Sequence, residues 1–212
     1  MDFLIIDSEH GAVSFETAQT AAMVCDSHGV SPVFRVGGVI EDQILRALDI
    51  GMHGIQVPNI RSADEMKRLV KLAKYPPLGN RGFSPYTRAG GFNKENSSKL
   101  TTEANTNTLL IINVEDDFGL RNLDEIAEVE AVDVIFIGIF DLSKALGVPG
   151  DVESPTVLNA LKEAVEVIHR HKKKVGSIAA SPSMLGLLKN IGVDYITYSV
   201  DTGILRDGYS AI

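Results

Sequence analysis

Residues 1–11 read MDFLIIDSEHG, and this stretch distinguishes between two kinds of α/β fold. The apolar run at 3–6 (FLII) is typical of a short buried strand. A doubly wound dinucleotide-binding fold would continue with a glycine-rich turn, whereas here the strand runs into the polar residues 7–10 (DSEH). Polar groups that directly follow a strand are what a (β/α)8 barrel uses to build an active site. The opening stretch therefore favours a barrel.

Further apolar, β-branched runs continue this pattern along the chain and predict seven strands. Between them lie helical patterns, several of which begin at serine (Ser14, Ser62, Ser181) and end at glycine (Gly29, Gly51, Gly192). The predicted strands are 3–6, 32–36, 54–57, 109–114, 134–138, 174–178 and 195–200, and the predicted helices are 14–28, 41–50, 62–73, 119–129, 154–171 and 181–190.

The predicted strands are continuously apolar rather than alternating, which indicates a parallel sheet covered by helices on its faces. We therefore expect one α/β domain over residues 1–212, a TIM-type (β/α)8 barrel of which seven strands can be identified. The long irregular segment 76–107 is rich in Pro, Gly, Ser and Asn and is expected to be a functional loop, with room for a short helix in its second half.

Composition excludes several classes of partner. The formal charge is -8, and the longest basic run is Lys172 to Lys174, so neither nucleic acid nor an anionic membrane surface is expected as a partner. No apolar run approaches the roughly 18 residues of a membrane span. The single cysteine, Cys25, cannot form an internal disulfide, which favours a reducing compartment and hence the cytoplasm.

Five of the seven predicted strands end in charged residues, which a barrel would gather on one rim. Glu115 and Asp141 follow two of the most apolar strands, and two adjacent carboxylates repel each other unless a proton or a cation lies between them. Oxygen ligands favour Mg²⁺ or Mn²⁺. The alternative is an acidic, solvated rim without a metal. The charged strand ends are Asp7 to His10, Arg35, Glu115, Asp141 and Asp201.

Two further side chains are candidates for catalysis. Arg35 interrupts the apolar run PVFRV and requires an anionic partner, which could be a structural carboxylate or a bound carboxylate substrate. His10 lies three residues after Asp7, so the Asp7 carboxylate could orient the ring of a general base; a loop-tying histidine is the alternative. No lysine lies within a strand where a Schiff base would form, and the last two loops lack a phosphate-binding pattern.

Several segments together resemble the metal-dependent HpcH/HpaI-type aldolases, which cleave 4-hydroxy-2-oxoacids to pyruvate and an aldehyde. The most specific is VDVIFIGIFDLSKALGVPG at 132–150. The resemblance covers nearly the whole chain, and its other segments are IIDSEHG, PVFRV, ILRALDIGMHGIQVP, YPPLGNRGFSP, INVED and YSVDTGIL.

This resemblance implies a role for each of several residues. Glu115 and Asp141 would hold a divalent metal (Mg²⁺ or Mn²⁺, with Co²⁺ as a third candidate), Arg35 would stabilise the enolate oxygen, and His10 with Asp7 would transfer the proton. It also places the side chain of Asn113, the backbone of Phe140 and Asp141 against the 2-oxoacid. Asp49 would raise the basicity of the histidine, but it lies at a helix end on the opposite rim and could act only across a subunit interface. A homo-oligomer, a hexamer built from dimers, is implied as well.

The sequence departs from the family pattern in three respects. GIFD replaces GPAD, so Ile139 and Phe140 would narrow the acceptor pocket; Asn113 replaces glutamine; and the family's first strand and helix have no counterpart here. That missing unit has three explanations: the chain is a truncated fragment, a neighbouring subunit fills the gap in the barrel, or the barrel is distorted. Two other functions stay open: a citrate-lyase-like acyl-thioester lyase, and a catalytically silent assembly subunit.

Overall fold

The computed structural model describes all 212 residues and contains seven strands in one parallel sheet. The strands follow one another across the sheet in chain order. Both the α/β class and the seven predicted strands are confirmed. The strands are β1 (Phe3–Asp7), β2 (Ser31–Arg35), β3 (Gly54–Val57), β4 (Leu109–Val114), β5 (Val134–Ile137), β6 (Lys174–Ala179) and β7 (Tyr195–Tyr198).

The sheet curls into a half-barrel and does not close, since β1 and β7 form its two edges and are not paired with each other. The Phe3 ring on β1 nevertheless stacks on the Tyr195 ring on β7, with 4.1 Å between the ring centroids. The two edges therefore face each other across a seam that side chains bridge. The predicted (β/α)8 barrel is confirmed only as far as this seven-stranded half-barrel.

Ten helices accompany the strands, and the six predicted helical segments are all helical in the structure. The predicted helix at 119–129 is divided into two short helices at Asn122, and the second half of the 76–107 segment contains a helix, as expected. The helices are α1 (Phe15–Ser27), α2 (Glu41–Asp49), α3 (Ala63–Ala73), α4 (Ser97–Asn107), α5 (Asp117–Arg121), α6 (Leu123–Ala127), α7 (Ile139–Ala145), α8 (Pro155–Arg170), α9 (Pro182–Ile191) and α10 (Asp201–Ser210).

Side-chain caps fix the start of five helices, and three of the caps were predicted from the sequence. Ser14, Ser62 and Ser181 each accept a hydrogen bond from the backbone N–H three residues later, which satisfies a donor that the first helical turn leaves free. Gly192 ends α9 with a φ of 101°, a left-handed conformation that glycine adopts without strain. No helix is long and apolar enough to cross a bilayer.

Side chains of the strands alternate between two apolar layers. Outward-facing residues such as Leu110 and Ile112 on β4 join the helices in a core of 36 buried residues. Inward-facing residues form a smaller cluster of Val33, Ile111, Val134 and Phe136. On β1 to β4 the next inward positions toward the carboxyl ends are the polar residues Asp7, Arg35, Gln56 and Asn113, so the inner apolar layer lies beneath a polar site.

Candidate active site

Inward-facing polar side chains at the carboxyl ends of the strands make two hydrogen-bonded groups. In the first, Arg35 donates from Nε to Asp7 Oδ1 at 2.8 Å and from Nη2 to Asp7 Oδ2 at 2.6 Å. In the second, Gln56 Nε2 donates to Asn113 Oδ1 and Asn113 Nδ2 donates to Glu115 Oε1, both at 2.7 Å. Four neighbouring strands therefore contribute to one rim, as the strand-end pattern predicts.

The Arg35–Asp7 pair has the bidentate geometry that is strongest for a guanidinium and a carboxylate. Burial alone would raise the pKa of Asp7, but the hydrogen bonds and charge of Arg35 outweigh it and hold that pKa below its usual value. Asp7 and Arg35 are register partners on β1 and β2, so the pairing follows from the sheet itself. Arg35 thus has the structural carboxylate that the sequence left open as one of two alternatives.

Glu115 lies in acidic surroundings. Its pKa is raised, first by burial and then by the negative charges of Glu9 and Asp141, although the hydrogen bond from Asn113 opposes the shift. Room for the Glu115 side chain depends on Gly138, where a Cβ atom would lie 2.7 Å from Glu115 Cγ. The backbone after β5 is therefore shaped to admit this carboxylate.

Asp141 lies in the first turn of α7, two residues after the start of that helix. Its Oδ1 is 3.4 Å from Lys144 Nζ, and both side chains are largely exposed. No group of three or more His, Cys, Asp or Glu side chains is arranged to hold a metal ion. A cation between Glu115 and Asp141 would thus take two protein ligands and leave its other positions to water or substrate.

The predicted contact between Asp7 and the His10 ring is not formed. Asp7 Oδ1 instead accepts the backbone N–H groups of Glu9 at 3.0 Å and His10 at 3.4 Å. The His10 side chain is 70% exposed, and the carboxylate nearest its ring is Glu9, with 3.9 Å between Glu9 Oε2 and His10 Nε2. Asp7 therefore shapes the turn and binds Arg35, and His10 stands at the mouth of the site.

Asn113 and Phe140 also lie on this rim. Asn113 is buried, and both ends of its amide are engaged, by Gln56 and by Glu115. Phe140 lies in the first turn of α7 with its side chain 47% exposed, and its carbonyl oxygen accepts the Ser143 hydroxyl at 2.6 Å.

Asp49 is the one predicted site residue that lies elsewhere. It ends α2, beside the amino end of the sheet, and its Oδ1 accepts a hydrogen bond from Arg81 Nη2 at 2.7 Å. The Arg81 side chain is only 2% exposed and its guanidinium lies over the Tyr75 ring. Within one chain Asp49 therefore has a structural partner and does not meet His10.

Sequence reasoning missed two members of the site. Gln56 is a polar residue in the middle of an otherwise apolar strand (GIQV), which is itself a signal, because a buried amide needs partners. Glu9 was quoted in the opening stretch but given no role, and it lies 3.3 Å from Arg35 Nη1 through Oε2.

Comparisons with known proteins show the family to which the chain belongs. Residues 1–201 match the family described as HpcH/HpaI aldolase/citrate lyase. A 4-hydroxy-2-oxo-heptane-1,7-dioate aldolase of Shigella flexneri is 30% identical over all 212 residues, which cover 79% of that protein. A 2-keto-3-deoxy-L-rhamnonate aldolase of Klebsiella pneumoniae is 31% identical over 95% of this chain and 75% of its own length. The crystal structure of an HpcH/HpaI aldolase from Desulfitobacterium hafniense superposes with a TM-score of 0.94 at 29% identity, covering 100% of this chain and 82% of that one.

Proposed function

The chain belongs to the HpcH/HpaI aldolase/citrate lyase family and is a class II aldolase, and on this premise we propose that it cleaves a 4-hydroxy-2-oxoacid to pyruvate and an aldehyde. The observation that carries the proposal is the rim on which Arg35, Glu115 and Asp141 lie together. A guanidinium beside carboxylates suits a 2-oxoacid, because such a substrate presents a carboxylate and a keto oxygen to a cation.

Glu115 and Asp141 are the residues that hold the divalent cation. The charge balance supports this role, since the four carboxylates of Asp7, Glu9, Glu115 and Asp141 exceed the two positive charges beside them, those of Arg35 and the exposed Lys144. The absence of a Cβ atom at Gly138 supports the role as well, because it leaves room for the Glu115 carboxylate at this position. All-oxygen ligands suit Mg²⁺ or Mn²⁺, with Co²⁺ as a third candidate. When bound, the ion supplies Lewis-acid polarisation of the 2-oxoacid.

His10 transfers the proton in this reaction, and Arg35 stabilises the negative charge that develops on the substrate. His10 takes the proton of the 4-hydroxyl group, the C3–C4 bond breaks to release the aldehyde, and the electron pair moves to the former keto group as the enolate of pyruvate. Arg35 stabilises the negative charge on that oxygen, and because Asp7 already holds its guanidinium, little reorganisation is needed during the reaction. A proton returned to the enolate carbon gives pyruvate.

Asn113, Phe140 and Asp141 position the substrate. Gln56 and Glu115 fix the orientation of the Asn113 amide, which leaves it little freedom to rotate. The backbone N–H of Phe140 belongs to the first turn of α7, where helical geometry supplies no internal acceptor. The exposed Phe140 ring lies beside this backbone and restricts the aldehyde half of the substrate.

The experiment that tests this function is pyruvate release from 4-hydroxy-2-oxoacids, followed with lactate dehydrogenase in the presence of Mg²⁺ or Mn²⁺. We expect Glu115→Ala and chelation by EDTA each to abolish turnover, because either change removes the cation. Glu163→Ala, a change of an exposed acid on α8, serves as the matched control and should keep full activity. Full turnover of the wild-type protein in excess chelator would contradict the metal role.

A further inference from the structure

Gln56 is a buried amide that makes only part of the hydrogen bonds available to it. The residue is 2% exposed and lies on the apolar strand β3, between Arg35 on β2 and Asn113 on β4. Its Nε2 atom donates to Asn113 Oδ1 at 2.7 Å, whereas its Oε1 atom is buried without a donor. A buried acceptor without a partner costs free energy, which an apolar residue at this position would avoid. The presence of an amide therefore points to a role for the hydrogen bond that Nε2 donates.

The side chains of Gln56, Asn113 and Glu115 form a chain of two hydrogen bonds with a fixed direction. Asn113 Nδ2 donates to Glu115 Oε1 at 2.7 Å, and Oδ1 of the same amide accepts from Gln56. An ionised carboxylate only accepts hydrogen bonds, so the Asn113 nitrogen faces Glu115 and the Asn113 oxygen faces Gln56. Gln56 then has to offer its own nitrogen, which leaves Oε1 as the free end of the chain. The unpartnered oxygen is thus a consequence of the carboxylate at the other end.

Gln56 makes reversal of the Asn113 amide unfavourable. A reversed Asn113 amide would bring its oxygen against Glu115 Oε1, where two acceptors repel each other, and its nitrogen against the nitrogen of Gln56. Asn113 is the one hydrogen-bond donor to the Glu115 side chain, so the contact that it makes decides how this carboxylate is held. Gly138 leaves room for the Glu115 side chain, but room alone does not fix its direction.

We propose that Gln56 is a positioning residue for the divalent cation: through Asn113 it holds the Glu115 carboxylate in the orientation that binds the ion. This inference rests on the proposed role of Glu115 as a metal ligand. Gln56 makes no contact with Glu115 itself and acts only by keeping the Asn113 nitrogen turned toward it. Hydrogen bonds to metal-ligating side chains orient the ligands and contribute to metal affinity.

The first test is isothermal titration with Mn²⁺. Gln56→Met keeps the approximate length of the side chain without the amide, and it should lower Mn²⁺ affinity about tenfold, as loss of a partner of a metal ligand commonly does. Asn113→Leu should lower the affinity as well. The variant that carries both changes should bind no more weakly than Asn113→Leu alone, because Gln56 acts through Asn113. Gln19→Met, at an exposed position of α1, is the matched control and should bind Mn²⁺ like the wild-type protein.

Three outcomes of this titration would count against the proposal. Unchanged Mn²⁺ affinity of folded Gln56→Met protein would overturn it. Additive losses in the double variant would overturn it too, since they would show that Gln56 does not act through Asn113. A wild-type protein that binds no Mn²⁺ would refute the proposed metal role of Glu115, and the role of Gln56 with it.

The second test follows the Nδ2 hydrogens of Asn113 by NMR in the metal-free protein at neutral pH, which requires neither turnover nor an ion. Asn113→Leu identifies the resonances. In Gln56→Met the hydrogen that bonds to Glu115 should move upfield, because the amide no longer keeps its nitrogen toward the carboxylate. Gln56→Leu gives the same test if Gln56→Met does not fold. An unmoved resonance in a folded variant would show that Asn113 keeps its orientation without Gln56 and would overturn the proposal.

Discussion

Arg35 shows at the scale of one residue how a permanent charge is accommodated at the end of an apolar strand. A guanidinium in a half-buried position is costly unless a carboxylate satisfies it, and Asp7 does so from the neighbouring strand. The same pairing fixes the direction in which the remaining donors point. Under the proposed function, the same contact with Asp7 holds Arg35 in place for an anionic substrate.

For Glu115 the surroundings disfavour the charged form of the side chain, and this leads to a prediction about stability. Its raised pKa means that ionisation costs folding free energy; the cost appears as the pH rises above the ordinary pKa of glutamate and is complete above the raised value. In EDTA at neutral pH, Glu115→Gln should therefore have a higher Tm than the wild-type protein. The difference should shrink toward pH of about 4, where unfolded-chain glutamate also becomes protonated.

Thermal unfolding followed by circular dichroism measures this effect. Addition of Mn²⁺ should raise the Tm of the wild-type protein and leave Glu115→Gln unchanged, because binding to the folded state alone stabilises it. Glu163→Gln should behave like the wild-type protein in both conditions. Equal melting of wild type and Glu115→Gln in EDTA at neutral pH would show that Glu115 bears no electrostatic cost.

At the residue scale the site could be predicted where a charge ends an apolar strand, as for Arg35 and Glu115. The hydrogen-bond partners of these side chains could not be predicted in the same way. The short sequence distance between Asp7 and His10 favoured a contact, but the register of β1 and β2 gives Asp7 to Arg35 instead. Such pairings depend on the register between neighbouring strands, which the sequence pattern alone does not give.

At the scale of elements, the helices that sequence reasoning missed share one property. Neither α7 nor α10 has a side-chain cap, since their N-cap residues are Gly138 and Val200 and neither makes a capping hydrogen bond. The helix α2 also lacks a side-chain cap, but its helical pattern and the glycine after it were sufficient to predict it. Helices with a serine cap were found because Ser, Thr, Asp and Asn signal a helix start. The strand runs were easier to predict, because residues buried on both faces are continuously apolar.

Gly138 connects an element to the site, and its substitution gives a second prediction. Its φ of −76° suits any residue, so Gly138→Ala would meet no backbone strain. The added Cβ would nevertheless lie 2.7 Å from Glu115 Cγ and displace that carboxylate. We expect Mn²⁺ affinity to fall at least tenfold and the free energy of unfolding to fall by about 1–3 kcal/mol.

Isothermal titration with Mn²⁺ and denaturant unfolding measure these two effects. Gly186→Ala is the matched control, because Gly186 lies on α9 and a Cβ there meets nothing within 4 Å. That change should leave Mn²⁺ affinity as it is and stabilise the helix slightly, by up to about 1 kcal/mol. Equal Mn²⁺ affinities of the two variants would show that Gly138 does not make room for a metal ligand.

At the scale of the whole molecule, α10 stands apart from the core. None of its residues is buried, and its apolar side chains are among the most exposed of the chain, Ile204 at 57%, Leu205 at 60% and Tyr209 at 75%. A ten-residue helix gains most of its stability from packing, so an uncovered apolar face favours association. This observation supports the homo-oligomer, which remains a prediction.

The third prediction concerns this association. Leu205→Asp places a charge on the exposed face of α10 and should shift the protein toward a smaller species, with a second copy of the chain as the expected partner. Light scattering after size exclusion measures the mass directly. Lys162→Asp, on the exposed side of α8, is the control and should leave the mass unchanged. A wild-type protein that is monomeric at all concentrations would contradict the prediction.

Because β1 and β7 are not paired with each other, the part of the site carried by β1 should be the first to open when the protein is heated. The DSEH turn that bears His10 follows β1, which is an edge strand. Glu115 and Asp141 follow β4 and β5, which are each paired with a strand on both sides. Amide hydrogens at the edge of a sheet exchange first with solvent, because the free energy of local opening is lowest there. Gentle heating should therefore free the turn that bears His10, the proposed general base, before the proposed ligands Glu115 and Asp141 release a bound cation, so that activity is lost before the metal.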